Sequence, residues 1–201
     1  MNYPKAFVIA NMFTQKWEKG YVNHPNDPGG ATYNGVSLRF LKQTGTDING
    51  DGVIDARDIL ELYRKKDQAK VDEIFYKAFW QDQKLDQYPC LSLQIGLYDT
   101  GVNTGRTQTA KFLQRACNAV SPSAKLDVDG IIGKRSLAAT LELIHYGRGM
   151  ELSKIFVIKR QDFHDTLVNN SPYRDGRDYR PFAKGWRNRV NDLKTYIGLQ
   201  K

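Results

Sequence analysis

Apolar residues recur every three or four positions along most of the chain, which is the spacing of helices that bury one face. The first stripe predicts a helix from Tyr3 to about Lys19 and consists of Phe7, Ile9, Ala10, Phe13 and Trp17. Further helical stretches are predicted at residues 36–44, 56–64, 67–81, 92–102, 107–119, 134–146, 151–169 and 183–196. Alternating strand patterns are few, so we expect a mainly α fold of six to eight helices with one small β-hairpin near residues 32–37, where a turn into the next helix is the alternative.

The segment after the first helix holds two acids and a hydroxyl in a stretch rich in Gly and Pro. Glu18 stands at the end of the predicted helix, in its last turn; Asp27 follows nine positions later and Thr32 five positions after that. Gly and Pro fix unusual backbone angles, which holds neighbouring side chains in place. We interpret this stretch as a catalytic loop in which Glu18 donates a proton. The alternatives are a solvated surface carboxylate at Glu18 and a turn-setting role for Asp27.

A second motif spans residues 47–58, where oxygen-bearing side chains occupy the first, third, fifth, ninth and twelfth positions of a loop. Gly52, at the sixth position, allows a sharp bend, and together these features form the pattern of an EF-hand calcium loop. The last position holds Asp instead of the usual Glu, which resembles the loops of dockerins. The sequence therefore predicts a structural calcium site, with an acidic turn that binds no metal as the alternative. The predicted ligands are the side chains of Asp47, Asn49, Asp51, Asp55 and Asp58 and the carbonyl of Val53.

The length, the net charge and the cysteine content of the chain limit the kinds of protein that it can be. A length of 201 residues suits one medium domain or a main domain with a smaller lobe. The formal net charge of +8 attracts polyanions such as nucleic acid, anionic membranes or bacterial cell wall. The basic residues form no long run and no DNA-reading motif is visible, so we do not expect a nucleic-acid partner. Cys90 and Cys117 are expected to be buried free thiols, with one disulfide as the alternative.

The stretch from Glu18 to Ser37 reads Glu-x-Gly-Tyr-x-Asn-x-Pro-x-Asp-Pro-Gly-Gly-x-Thr-x-x-Gly-Val-Ser. It resembles the signature of glycoside hydrolase family 108, which comprises lysozyme-like N-acetylmuramidases of phage endolysins and bacterial wall-remodelling enzymes. Lys19 replaces a Gly that is usual in the family, which leaves the acid and the loop in place. The C-terminal half resembles the family's peptidoglycan-binding region at Asp99, Val102, Asn103, Gly105, Leu113, Gln114, Asp129, Gly130, Gly133, Phe182, Gly185, Trp186, Arg189 and Val190.

The resemblance implies a lysozyme-like helical fold and hydrolysis of the β-1,4 bond between N-acetylmuramic acid and N-acetylglucosamine. It implies that Glu18 is the general acid, that Asp27 orients water or stabilises the oxocarbenium-like transition state, and that Thr32 helps to hold the water. No cofactor is required for this chemistry. The candidate substrate-binding residues, for which packing or turn capping is the alternative role, are Tyr21, Asn23, Tyr98 and Asn103.

The expected organisation is two lobes with a boundary near residues 83–91. Residues 1–90 are the predicted catalytic lobe with the calcium loop, and residues 91–201 the predicted helical peptidoglycan-binding lobe. The apolar stretch Ala6–Met12 is too short for a membrane span and lacks the features of a signal peptide. We therefore expect a monomer without stable membrane insertion, made in the cytoplasm and released to the cell wall by a holin or a secretion system. The competing interpretation is a calcium-stabilised cell-wall-binding protein without catalysis.

Overall fold

The computed structural model describes residues 2–18, 20–22 and 30–199. Within these residues the chain forms nine α-helices, more than the six to eight expected, and one three-stranded antiparallel sheet, which confirms the mainly α fold with a small β element. The strands are β1 (Tyr21–Val22), β2 (Thr32–Tyr33) and β3 (Val36–Ser37). The helices are α1 (Lys5–Trp17), α2 (Leu38–Thr44), α3 (Ala56–Lys65), α4 (Gln68–Phe75), α5 (Leu91–Thr104), α6 (Arg106–Val120), α7 (Lys134–His145), α8 (Gly149–Asn169) and α9 (Ala183–Tyr196).

The chain divides into two compact units, which we call the hairpin unit (residues 14–78) and the helical unit (residues 1–13 and 79–201). This division falls earlier than the boundary predicted near residues 83–91, and it assigns the start of α1 to the helical unit. The reason is that Phe7, in the first part of the apolar stripe, packs there. The ring of Phe7 lies 5.7 Å from that of Trp80 and 5.6 Å from that of Tyr98, measured between ring centroids.

The hairpin unit combines the sheet with three short helices. α3 packs against β2 and α2, around a core that includes Val36, Leu41, Ile59, Leu62, Val71 and Phe75. Local sequence sets the ends of α2, because the Ser37 hydroxyl accepts the Phe40 N–H at 3.2 Å and Gly45 ends the helix with a φ of 64°. The helix predicted over residues 67–81 is interrupted: α4 ends at Phe75, and a π-helical turn continues over Tyr76–Gln81.

The helical unit is built around α8, which packs against α5, α6, α7 and α9. Gly96 on α5 faces α8, where an added Cβ would be in ordinary van der Waals contact with the ring of Phe156 at 3.5 Å. Cys90 is half-buried and Cys117 is buried, and both are free thiols. None of the described helices is long and apolar enough to cross a membrane.

Three charged side chains are enclosed between α5, α8 and α9. Arg160 donates to one oxygen of Asp99 at 2.6 Å, and Arg189 donates to the other at 2.7 Å. Asp99 and Arg160 are fully buried and Arg189 is 5% exposed. Burial alone would raise the pKa of Asp99, but the charges of Arg189 and Arg160 outweigh it and lower that pKa to about 2. This cluster joins three helices through one carboxylate.

Candidate active site

Glu18 lies one residue beyond the end of α1, whereas the sequence placed it in the last helical turn. The helix ends earlier because Gly20 turns the chain with a φ of 100°, so that β1 can begin at Tyr21. The side chain of Glu18 lies against the turn between β2 and β3. Its Oε2 and Cβ lie 3.1 Å and 3.0 Å from the position that a Cβ on Gly35 would occupy. The carboxyl group is therefore held beside the hairpin turn.

Asn34 ties this turn to the residues that follow Glu18. Its backbone N–H donates to the carbonyl of Gly20 at 3.0 Å, and its Oδ1 accepts the N–H of Gly20 at 2.9 Å. Its Nδ2 donates to Gln68 at 2.9 Å, and Gln68 donates to Asp72 at 2.8 Å. Both ends of the Asn34 amide are thus used, which fixes the chain around Glu18 to the turn and to α4.

The turn itself has a sequence signal. Asn34 and Gly35 have φ values of 45° and 84°, and two positive φ angles are what a type I′ hairpin turn requires. The Asn-Gly dipeptide favours this turn, and the hairpin predicted at residues 32–37 is present, with Thr32 paired to Ser37. Gly35 is also needed for space, because a Cβ there would lie 2.9 Å from the ring of Phe75.

The substitution Gly35→Ala is expected to reduce hydrolytic activity at least about tenfold, because the new methyl group displaces either Glu18 or Phe75, and small misplacements of reacting groups are costly. Gly45→Ala is the matched control. Gly45 also has a positive φ, of 64°, but an added Cβ there meets nothing within 4 Å. Both variants share the backbone strain, so a difference between their kcat values reports the contact with Glu18 and Phe75. Equal activities would contradict the proposed positioning role.

The other described candidates of the hairpin unit lie on its sheet. Thr32 is half-buried on β2, and its hydroxyl donates to the carbonyl of Gly30 at 3.4 Å. The ring of Tyr21 stacks on that of Tyr63 at 4.6 Å between centroids, and Tyr63 also contacts Tyr33 at 5.8 Å. Tyr63 is 45% exposed. Glu18, Thr32 and Tyr21 therefore belong to one unit, in which Tyr21 forms an aromatic cluster with Tyr63 and Tyr33 that the sequence did not indicate.

The remaining candidates are placed differently. Asn23 and Asp27 lie outside the described residues, so their roles stay predictions. Tyr98 is fully buried in the helical unit and its hydroxyl donates to Asn11 at 2.8 Å, so it packs in a core and does not line a groove. Asn103 is half-buried and accepts a hydrogen bond from Arg160 at 3.1 Å. These contacts agree with the alternative roles of packing and hydrogen bonding within the unit, and substrate binding by either residue stays a prediction.

The loop of residues 47–58 is held by hydrogen bonds from its own backbone. Asp47 accepts the N–H groups of Gly50 and Gly52 at 2.7 and 2.8 Å, and these bonds, Gly52 first, lower the pKa of Asp47. Asp58 is fully buried and accepts the N–H groups of Ile48 and Asp55 at 2.8 Å each, the second of which caps α3.

The loop itself contains a positively charged side chain, that of Arg57. Its guanidinium lies 2.8 Å from Asp51 and 2.9 Å from Asp55, two of the predicted calcium ligands. Over the described part of the chain, no three His, Cys, Asp or Glu side chains are grouped so that they could hold a metal ion. The loop in this arrangement therefore does not fit a bound calcium ion, and calcium binding would require Asp51 and Asp55 to leave Arg57.

Comparisons with known proteins bear on this site. Residues 12–105 match the family model for glycosyl hydrolase 108. The matched segment contains Glu18, Thr32 and the turn at Asn34 and Gly35, and it supports a glycoside hydrolase. The chain is also similar to the solved structure of Brucella abortus SagA, with 23% identity over 96% of this chain and 94% of that chain and a TM-score of 0.67. That likeness shows a shared fold over nearly the whole chain. No curated protein matches.

Sequence reasoning missed three residues that shape the site. The Asn34-Gly35 pair carried a signal, since Asn-Gly between short strands is typical of a hairpin turn. Its link to Gly20 carried none, because Asn34 pairs with a residue fourteen positions away. Phe75 reads as an ordinary core residue of α4, and only its 2.9 Å approach to the Gly35 position reveals a role beside Glu18.

Proposed function

We propose that this protein is a peptidoglycan hydrolase in which Glu18 is the general acid, and that it cleaves the β-1,4 bond between N-acetylmuramic acid and N-acetylglucosamine. The placement of Glu18 supports this proposal most directly. Its carboxyl group lies beside a glycine turn that leaves no room for a larger residue, within the segment that matches glycosyl hydrolase 108. A carboxyl group held in one position is what proton transfer to a leaving oxygen needs.

The proposed reaction follows the two-carboxylate chemistry of glycosidases. The Glu18 carboxyl donates its proton to the glycosidic oxygen as the bond from that oxygen to the sugar C1 breaks. Positive charge develops on the sugar ring, and Asp27 would stabilise it or accept a proton from the attacking water. Thr32 would help to hold that water. The water adds to C1, which gives two shorter glycan chains, one with a new reducing end.

Product analysis on purified peptidoglycan tests this proposal. Digestion followed by borohydride reduction and mass spectrometry should yield fragments that end in reduced N-acetylmuramic acid. Fragments that end in reduced N-acetylglucosamine would show that the other glycosidic bond is cleaved. Sedimentation of the protein with peptidoglycan without any release of reducing ends would instead favour the competing wall-binding function.

Calcium binding at residues 47–58 is a separate proposal, supported by the sequence pattern alone. If the loop rearranges around calcium, the folded state gains binding free energy and the melting temperature rises. We expect a melting temperature several degrees higher in excess calcium than in chelator, and no such difference in the variant Asp51→Asn. Since Asp51 has an exposed ion pair with Arg57, its replacement should alter stability little without metal. Equal melting temperatures for the wild-type protein in both buffers would refute a tight site.

A further inference from the structure

The helical unit contains a cavity of about 690 Å³, which lies between the connection that precedes α5, the start of α6 and the loop that leads into α7. All of its lining residues belong to the helical unit, and none of them is one of the residues described beside Glu18. Ligand-binding sites usually occupy about 300–1,000 Å³. The volume therefore suits a ligand as large as a short peptide.

The cavity has an aliphatic floor. The side chains that form this floor are Leu85, Leu97, Ala110, Leu113 and Leu137. The only aromatic residue among the lining residues described is Tyr88, which is 2% exposed and so presents no open face on which a sugar ring could stack. Aliphatic walls of this kind favour small aliphatic groups, such as the methyl groups of alanine, over flat rings.

Basic residues surround the opening of the cavity. Lys84, Arg106 and Lys134 line it together with one acid, Asp82, whose carboxylate pairs with Arg106 at 2.8 Å. Lys84 and Lys134 have no ion-pair partner within the described residues. The lining therefore carries two lysine charges that no acid in the cavity balances, and it attracts an anion.

Two helices also begin at the cavity, α6 at Arg106 and α7 at Lys134. Neither helix has a side-chain N-cap hydrogen bond, and neither has an acid in its first turn. The free N–H groups and the positive end of the macrodipole at such a terminus favour a negative ligand. The positive ends of two helices thus add to the charges of the two lysines.

A hydroxyl donor is available as well. Tyr88 lines the cavity, and over the described part of the chain its hydroxyl has no hydrogen-bond partner, although only 2% of the residue is exposed. Burial, with a smaller effect of Cys117, raises the pKa of Tyr88 to about 12, so the hydroxyl keeps its proton. The hydroxyl oxygen is not among the buried atoms that lack a partner, so it is open to solvent, and a ligand oxygen would accept its hydrogen bond in place of water.

The loop at the opening is held rigidly by Gln114. This side chain is 1% exposed; its Nε2 donates to Asp129 at 2.7 Å and to the Ile131 carbonyl at 3.0 Å, and its Oε1 accepts the Gly130 N–H at 3.0 Å. These bonds fix the segment that carries Ile131 and Lys134 into α7. The cavity is therefore a formed feature of the fold.

We propose that this cavity binds a short acidic peptide with small aliphatic side chains, and that its ligand is the peptide stem of peptidoglycan. The aliphatic floor would take the side chains, and Lys84, Lys134 and the two helix termini would take the carboxylates. The identity of the ligand as a peptidoglycan stem rests on the proposed function. The preference for an acidic peptide rests on the cavity alone. Such a site would hold the substrate by its peptides while the glycan is cleaved elsewhere on the protein.

Calorimetric titration with the free stem tetrapeptide tests this assignment. The double variant Lys84→Asn/Lys134→Gln removes both unbalanced charges, and Asn suits position 84 because Lys84 has a φ of 53°. We expect its Kd to rise about tenfold or more, which corresponds to about 1.4 kcal/mol. The matched control is Lys5→Gln/Lys154→Gln, which removes two exposed lysines of the same unit outside the cavity. Its Kd should change less than about twofold.

A second variant tests the cavity by occlusion. Gly133 has an extended backbone, with φ of −86° and ψ of −176°, and a Cβ there meets nothing within 4 Å. Gly133→Trp should therefore fold normally and block binding of the tetrapeptide. Absence of saturable binding to the wild-type protein, or equal Kd values for the wild-type, double-variant and Gly133→Trp proteins, would overturn the assignment.

The two proposals can fail separately. Glu18→Gln should bind the tetrapeptide with unchanged Kd, because Glu18 does not line the cavity. Tetrapeptide binding that weakens in the cavity variants supports the site even if Glu18→Gln keeps its hydrolytic activity. Loss of hydrolysis in Glu18→Gln with no tetrapeptide binding to any protein would retain the hydrolase and refute the peptide site.

Discussion

Glu18→Gln is expected to lower the rate of peptidoglycan hydrolysis by about 10²–10⁴-fold, the usual contribution of a general acid, without a change of fold. The amide has nearly the shape of the carboxyl group and fits the same space beside Gly35, but it cannot donate a proton to the leaving oxygen. The rate is measured as the release of reducing ends over time, after subtraction of the release in a sample without the protein. Circular dichroism and thermal melting check that the fold is retained.

The matched control is Glu61→Gln in the same unit. Glu61 is on α3 and forms an exposed pair with Lys65 at 2.7 Å, so its neutralisation should change neither activity nor stability appreciably. Wild-type hydrolysis by Glu18→Gln would exclude Glu18 as the proton donor. A comparable loss in both variants would indicate that the assay responds to surface charge and not to the chemistry at Glu18.

Asp99→Asn is expected to destabilise the protein by about 3–5 kcal/mol, because it removes the negative partner of two buried arginines. For a chain of this size the melting temperature should fall by about 6–20 °C. The substitution is nearly isosteric, so the loss reports charge and not a cavity. Asp162→Asn on α8 is the control, since Asp162 has only an exposed pair with Lys159 at 3.5 Å and should shift the melting temperature little. Equal melting temperatures for the two variants would contradict the structural importance of the cluster.

The pH dependence of stability offers a second measurement on the same cluster. The pKa of Asp99 in the folded protein is about 2, below its ordinary value of 3.8. A carboxyl group with a lowered pKa contributes stability that is present above its unfolded pKa and is lost as the pH falls through the folded value. The contribution of Asp99 is therefore expected to disappear between about pH 4 and pH 2. Over that interval the stability difference between Asp99→Asn and the wild-type protein should shrink.

Much of the fold follows from local sequence. The apolar periodicity located each helix within a few residues, and the signal of Asn34-Gly35 for the hairpin turn was present although it was not used, because helix faces and type I′ turns depend on residues close in the chain. The length of α1 was overestimated, since nothing near Glu18 indicates that Gly20 pairs with Asn34 across fourteen positions. The calcium pattern was read from spacing, yet Arg57 lies against two of the expected ligands.

Glu18 was singled out by the sequence itself, through its place before a loop of Gly and Pro and through a motif that spans residues 18–37. Its surroundings were decided by tertiary structure: Gly35 and Phe75 meet beside it although they lie forty residues apart. The same holds for Asp99, whose arginine partners are 61 and 90 residues away. The pattern of apolar and polar residues along the sequence indicates which face of an element is buried, but not which residues that face contacts. Contacts between distant elements depend on how the helices pack. The cavity in the helical unit is likewise formed only by this packing.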